Sequence, residues 1–197
     1  MALAKLRLVR HEVRPVGALG AAHVAHPRRR GALGLAAAWW LSSALPAAAL
    51  QVGETMPSLS LDTARGPLQL TGGQARITYV DFWASWCGPC RQSFPWMNTM
   101  QDKYRADGLR IVAVNVDAKR ADSDDFLARN PATFAIAYDR AAALAKAAQV
   151  RAMPTSMLLD TKGKVLLVHE GFAGKDRELL EAAITSALRE GSPGVRP

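Results

Sequence analysis

The sequence predicts an α/β fold in which a mixed central β-sheet is flanked by helices. Three observations carry that expectation. Residues 76–83 form an apolar, β-branched and aromatic run that leads into a helical pattern, and a second apolar run follows at 109–116. Strand, helix and strand in that order make a βαβ unit, whose strands pair in parallel. Residues 155–160 and 164–169 are short apolar runs joined by Thr161-Lys162-Gly163, which suits an antiparallel hairpin. A closing amphipathic helix over 174–190 places Leu179, Leu180, Ala183, Ile184 and Leu188 on one stripe.

The chain of 197 residues is 49% hydrophobic, so its length allows one ordinary domain with a full core and something besides. Its formal charge of +8 would fit a nucleic-acid binder, but the charge is unevenly placed. Residues 1–49 hold seven basic side chains (Lys5, Arg7, Arg10, Arg14, Arg28, Arg29, Arg30) against Glu12. The rest of the chain is nearly balanced, which leaves no electrostatic case for phosphate backbones, and no nucleic-acid partner is expected. Arg28-Arg29-Arg30 precedes an uncharged apolar stretch, 31–50, that contains Pro46-Ala47-Ala48-Ala49. A basic flank, an apolar stretch and small residues at the exit read as a secretory signal cut after Ala49. The alternative is an uncleaved anchor formed by residues 31–50. Residues 1–27 are a long prelude for a signal and fit a translation start near Val24. Ordinary secretion suits Gly31-Ala32-Leu33 better than the twin-arginine route. The expected organisation is a leader at 1–49, a domain at 50–191 and a flexible tail at 192–197, with the domain outside the cytoplasm, where disulfides persist.

Within the domain, 59–70 reads as a flanking hairpin with turn residues such as Gly66-Pro67. A helix is expected over 88–104, kinked at Pro95, which removes one backbone donor. Further helices are expected over 121–129 and, from alanine content, 141–150, with a brief strand at 133–138 between them. Trp83, Met97, Met100, Phe126 and Phe134 are assigned to the core, and Trp86 to an exposed rim.

The chemistry lies in Trp86-Cys87-Gly88-Pro89-Cys90, which holds both cysteines of the chain at the join of a strand and a helix. A cysteine at a helix N-terminus faces unpaired backbone N–H groups and the positive end of the dipole, and both favour thiolate over thiol. Cys87 is therefore the expected attacking sulfur. Cys90, one turn inward, is the expected resolving sulfur. Pro89 suits the first helical turn, where its missing N–H costs nothing. Zinc is a poor reading of this pair, because a structural site takes four ligands and His169 is the one histidine beyond the leader. A purely structural disulfide would close a very small loop and constrain the unfolded chain little.

Residues 80–90, Val-Asp-Phe-Trp-Ala-Ser-Trp-Cys-Gly-Pro-Cys, resemble thioredoxin, and the resemblance continues through Pro95 and Met153-Pro154-Thr155. The leader, Met56-Pro57, Arg91 through Met97 and an insert from about Lys119 to Arg140 resemble the TlpA/ResA/DsbE-like branch of exported thioredoxin-like proteins. The resemblance covers about residues 53–190. It implies a thioredoxin-like fold with an N-terminal β extension and a central α/β insert, and a cis-proline at Pro154 beside the two sulfurs. It implies a partner-binding rim formed by Trp86, Gly88, Pro89, Met153 and Thr155. Two departures stand out. Ser93 occupies a position that is often Glu in this branch, and Asp81 one that is often Asn. Asp81 matches the buried acid of thioredoxin, and a carboxyl buried under a strand should titrate high and could relay the proton of Cys90.

The resemblance implies a protein-disulfide reductase that needs no bound cofactor and no metal, since Gly88-Pro89 matches reducing relatives. It implies a disulfide-bearing protein substrate, apocytochrome c in cytochrome c maturation, and recharging by a membrane-embedded electron donor. The alternative is a thiol reductant or Cu(I) carrier serving a copper-site protein of a respiratory oxidase. A peroxidase would need a lone peroxidatic cysteine that the sequence lacks.

Overall fold

The computed structural model describes residues 50–190; the expectations for the leader at 1–49 and the tail at 192–197 lie outside the described residues. In chain order the elements are β1 (Leu61–Thr63), β2 (Gly66–Leu68), β3 (Ile77–Trp83), α1 (Cys90–Tyr104), β4 (Leu109–Asn115) and α2 (Arg120–Arg129). They continue with β5 (Ala135–Tyr138), α3 (Ala143–Ala147), β6 (Thr155–Asp160), β7 (Val165–Glu170) and α4 (Asp176–Glu190). The strands form one seven-stranded sheet in the order β2-β1-β5-β4-β3-β6-β7. The mixed sheet with helices is the expected fold class. The β1–β2 hairpin is the N-terminal extension, and α2 with β5 is the insert.

β3 is the spine of the sheet. All seven of its residues are buried, it pairs in parallel with β4 and antiparallel with β6, and its β-branched and aromatic content suits a strand covered on both faces. Side chains alternate across a strand. Ile77, Tyr79 and Trp83 therefore join Phe94, Met97 and Met100 of α1 and Leu180, Ile184 and Leu188 of α4 in one core layer. Val80 and Phe82 enter the opposite layer with Leu50, Met56, Leu144 and Ala148. Asp81 falls in phase with Tyr79 and Trp83, so it points into the α1–α4 layer.

The first layer is knotted by aromatic rings where it supports the cysteines. Trp83 meets Phe94 at 5.0 Å and Phe126 at 4.7 Å, and Phe94 meets Phe126 at 5.0 Å and Phe134 at 5.3 Å. Such pairs contribute about 0.5–1.5 kcal/mol each beyond area burial. They tie the active-site helix to the insert and the central strand.

Four local expectations are corrected. Leu179 is 52% exposed, because the buried stripe of α4 runs through Leu180, Ile184, Ala187 and Leu188, and adjacent helical residues cannot all share it. The 141–150 helix shrinks to Ala143–Ala147, since Asp139 accepts N–H bonds from Ala143 and Ala145 and Ala142 takes a left-handed φ of 52°. Gly66-Pro67 is not the hairpin turn but the start of β2. The turn is closed by Thr63, whose hydroxyl donates to the Gly66 carbonyl and accepts the Arg65 N–H, and Pro67 is tolerated because β2 is an edge strand. The strand expected at 133–138 begins only at Ala135, since Thr133 uses its N–H and hydroxyl on Asn98.

Candidate active site

The chain leaves β3 at Trp83 and turns through Ala84-Ser85-Trp86 before α1 begins. That turn is fastened to the end of β4. Asp117 accepts the Ser85 N–H at 2.8 Å and the Ser85 hydroxyl at 3.0 Å, and Asn115 Nδ2 donates to the same carboxylate at 2.8 Å. The Cys87 N–H closes the turn on the Ala84 carbonyl at 3.0 Å. Cys87 and Cys90 are joined in a disulfide with a Cα–Cα separation of 5.3 Å. Both cysteines are buried, Cys87 with 3% exposure and Cys90 with none. The Cys90 N–H, one of the orphan donors of the helix N-terminus, points at Cys87 Sγ from 3.2 Å. Pro89 occupies the position before Cys90 with φ −62° and ψ −27°, already helical. The helix then continues through Pro95 to Tyr104.

The residues expected at the rim are placed as follows. Trp86 is 70% exposed beside the disulfide. The space over Gly88 is free of any atom closer than the Arg91 guanidinium, 3.8 Å from where a Cβ would stand. The Met153–Pro154 peptide is cis. The pairing of Phe82 with Thr155 sets Pro154 at the same end of the sheet as Trp83 and the cysteine loop. Thr155 itself is buried and its hydroxyl donates to the Ala152 carbonyl, so it braces the proline turn rather than facing a partner. Met153 is half-buried and packs against both core layers.

Asp81 is fully buried in the layer that holds Cys90. Its cross-strand neighbours are Ala113 on β4 and Ser156 on β6. The Ser156 hydroxyl donates to Asp81 Oδ1 at 2.7 Å, while Oδ2 has no hydrogen-bond partner among the described residues. Burial pushes the carboxyl up to about 7, against a small opposing pull from the Ser156 bond. Burial and the Asp81 charge together push the neighbouring Tyr79 phenol well above its ordinary range. Sequence reasoning picked out Asp81, and not Ser156, Asn115 or Asp117. These depend on strand register and on a turn reaching across to the next strand, for which a lone sequence carries no signal beyond polar residues inside apolar runs.

A thioredoxin-like sheet with a vicinal dithiol at the strand-to-helix junction defines a thiol–disulfide oxidoreductase. Residues 51–184 match the profile of the Redoxin family, and the chain belongs to that family. It is 33% identical over 129 residues to the thiol–disulfide oxidoreductase ResA of Geobacillus thermodenitrificans, covering 65% of this chain and 74% of that one. With ResA of Bacillus subtilis it shares 28% over 120 residues, 60% of this chain and 67% of that one. Among solved structures it is similar to a Chlorobium tepidum protein assigned as the thiol:disulfide interchange protein DsbE. The TM-score is 0.69 at 49% identity, over 71% of this chain and 99% of the other. StoA from Bacillus subtilis superimposes with a TM-score of 0.56 at 27% identity, over 66% of this chain and 97% of StoA.

Proposed function

We propose that the domain works outside the cytoplasm as a dithiol reductant of partner-protein disulfides. The direction of electron flow is carried by one observation, the sparse stabilisation of Cys87. Of the two spacer residues, Gly88 has no side chain and Pro89 no N–H, so neither side chain nor the Pro89 nitrogen can donate to the sulfur. The Cys90 N–H at 3.2 Å and the helix dipole remain. A strongly oxidising dithiol owes its potential to a heavily stabilised reduced form, and a lightly held thiolate shifts the couple toward reducing power. A buried carboxylate in the same layer acts the same way, since it disfavours a second negative charge nearby.

In the forward reaction the Cys87 thiolate attacks a partner disulfide and one partner sulfur leaves as thiolate. Cys90 passes its proton to Asp81, attacks Cys87 Sγ and expels the second partner sulfur, so two electrons reach the partner and the domain is left with the Cys87–Cys90 disulfide. Trp86, Gly88, Pro89 and Met153 form the surface on which the partner chain lies beside Pro154. Residues 1–49 deliver the domain across the membrane, and a membrane-embedded donor restores the dithiol. The favoured substrate is the disulfide of an apocytochrome c haem-binding motif.

A Cys90→Ala variant tests this reading, because it stops the reaction at the mixed disulfide. Mixed with an oxidised peptide carrying Cys-x-x-Cys-His, it should form a Cys87-linked adduct faster than with an oxidised peptide carrying a copper-site cysteine pair. Equal rates would remove the apocytochrome preference. No adduct with either would remove the reductase reading.

A further inference from the structure

Asp81 lies in the interior of β3, on the face whose core layer also holds Cys87 and Cys90. Cys90 is fully buried, so a proton taken from it has no direct way to water. The sheet register supplies a line of polar groups leading away. Asp81 on β3 is paired with Ser156 on β6, and Ser156 is paired with His169 on β7. Cross-strand partners share a face. The three side chains therefore stand in one row, on the α1–α4 side of the sheet, inside a layer built otherwise of aromatic and aliphatic residues.

The row is hydrogen-bonded at its Asp81 end and lies beside a carboxylate at the other. Ser156 Oγ donates to Asp81 Oδ1 at 2.7 Å. His169 Nε2 lies 3.5 Å from Asp176 Oδ2 in the first turn of α4; that nitrogen is itself buried and without a hydrogen bond among the described residues, while the side chain as a whole is 19% exposed, so the imidazole meets solvent through its other atoms. Directly opposed side chains in a sheet have Cβ atoms about 4.5–5.5 Å apart, a gap that a rotating hydroxyl or one water spans. The other groups facing Asp81 do not offer an exit. Tyr79 is itself buried, β4 contributes Ala113, and the α1 residues of the same core layer are Cys90 and the apolar Phe94 and Met97. From α4 the charged neighbour of the row is Asp176, on His169.

We propose that Ser156 and His169 form the proton route between Asp81 and solvent, with His169 as the exchange point. The proposal rests on the role given above to Asp81. A serine hydroxyl can accept from a protonated carboxyl while donating onward, and an imidazole can take a proton on one nitrogen and release it from the other. In each turnover the proton of Cys90 moves to Asp81 as the Cys87–Cys90 bond forms and the partner thiolate leaves. It then passes through Ser156 and His169 to water, and returns by the same row when the disulfide is reduced again. Both residues act through Asp81 and touch no substrate, so they are positioning residues.

Stopped-flow measurement of mixed-disulfide resolution tests this on the whole domain. At about pH 6, below the Asp81 midpoint of about 7, Asp81 starts protonated and must lose that proton before it can accept another. There, His169→Gln and Ser156→Ala should slow resolution at least about fivefold, while at about pH 8 the effect should fade. Ser156→Thr keeps a hydroxyl and should retain the rate. Added imidazole should accelerate His169→Gln and leave the unsubstituted domain unchanged. A His169→Gln rate equal to that of the unsubstituted domain at low pH overturns the route. So does a slowing that is the same at both pH values and indifferent to imidazole, which would mark a structural role. Asp81→Asn separates the two claims. If it leaves resolution unchanged, the relay itself fails and the route with it; if it slows resolution while His169→Gln does not, only the route fails.

Discussion

A single carboxyl sets much of the residue-scale energetics. Asp81 titrates at about 7 in the fold against an ordinary value of 3.8, because burial penalises its charge and Ser156 returns little. The folded state therefore keeps a proton that the unfolded chain has already lost between those values. Stability falls as pH rises through that window, and the full cost, roughly 4 kcal/mol, applies above it. Oxidised Asp81→Asn should accordingly unfold at higher urea concentration than the unsubstituted domain at about pH 8, and its advantage should shrink as pH falls through about 7 and vanish near about pH 4. An advantage independent of pH would mean that the ionised carboxyl is not the source. The spacer residues make a second prediction. Placing a donor beside Cys87 with Pro89→His should stabilise the thiolate and raise the potential of the couple by at least about 30 mV, one decade in its equilibrium constant. Equilibration with glutathione and thiol trapping reads that change, and an unchanged potential would mean that donor poverty at Cys87 does not set the direction.

At the scale of elements, the cysteine loop is held by its neighbours more than by itself. Asp117 gathers two bonds from Ser85 and one from Asn115, so Asp117→Ala orphans one buried and two part-buried donors and should cost about 2–3 kcal/mol in urea unfolding of the oxidised domain. A loss under half of that would show that water replaces the carboxylate. The elements most legible in the sequence are those whose pattern is decided locally. Residues 76–83 carry a strand signal with no competing period, Gly88-Pro89 starts a helix, and Asp160 with Gly163 closes the last hairpin, the carboxylate accepting N–H bonds from Lys162 and Lys164. Less legible were segments decided by tertiary partners. Alanine content promised ten residues of helix at 141–150, but the capping of Ala143 and Ala145 by Asp139 allowed five. On α4, Leu179 and Leu180 have equal hydrophobicity, and only the position of the sheet determines that Leu180 is the buried one. The site divides in the same way. Cys87, Cys90 and Trp86 announce themselves by spacing and residue type, and Pro154 by the resemblance to thioredoxin. Ser156 and His169 gain meaning only once antiparallel register sets them in line with Asp81.

Over the whole molecule, the parts combine into one device. The central strand carries Asp81 in its interior and delivers the chain to the disulfide at its end. The aromatic knot holds α1 against the insert, the turn at Pro154 closes the other side, and an exposed tryptophan stands at the rim. Nearly all of the surrounding side chains are apolar, which keeps the carboxyl high. Whether this arrangement makes a reductant is read from the reduction potential of the Cys87–Cys90 couple in the purified domain, measured by thiol trapping across glutathione and dithiothreitol buffers. A value in the range of thioredoxin, about −270 mV or lower, is expected, whereas a value near −120 mV, that of a strong disulfide donor, would contradict the assignment.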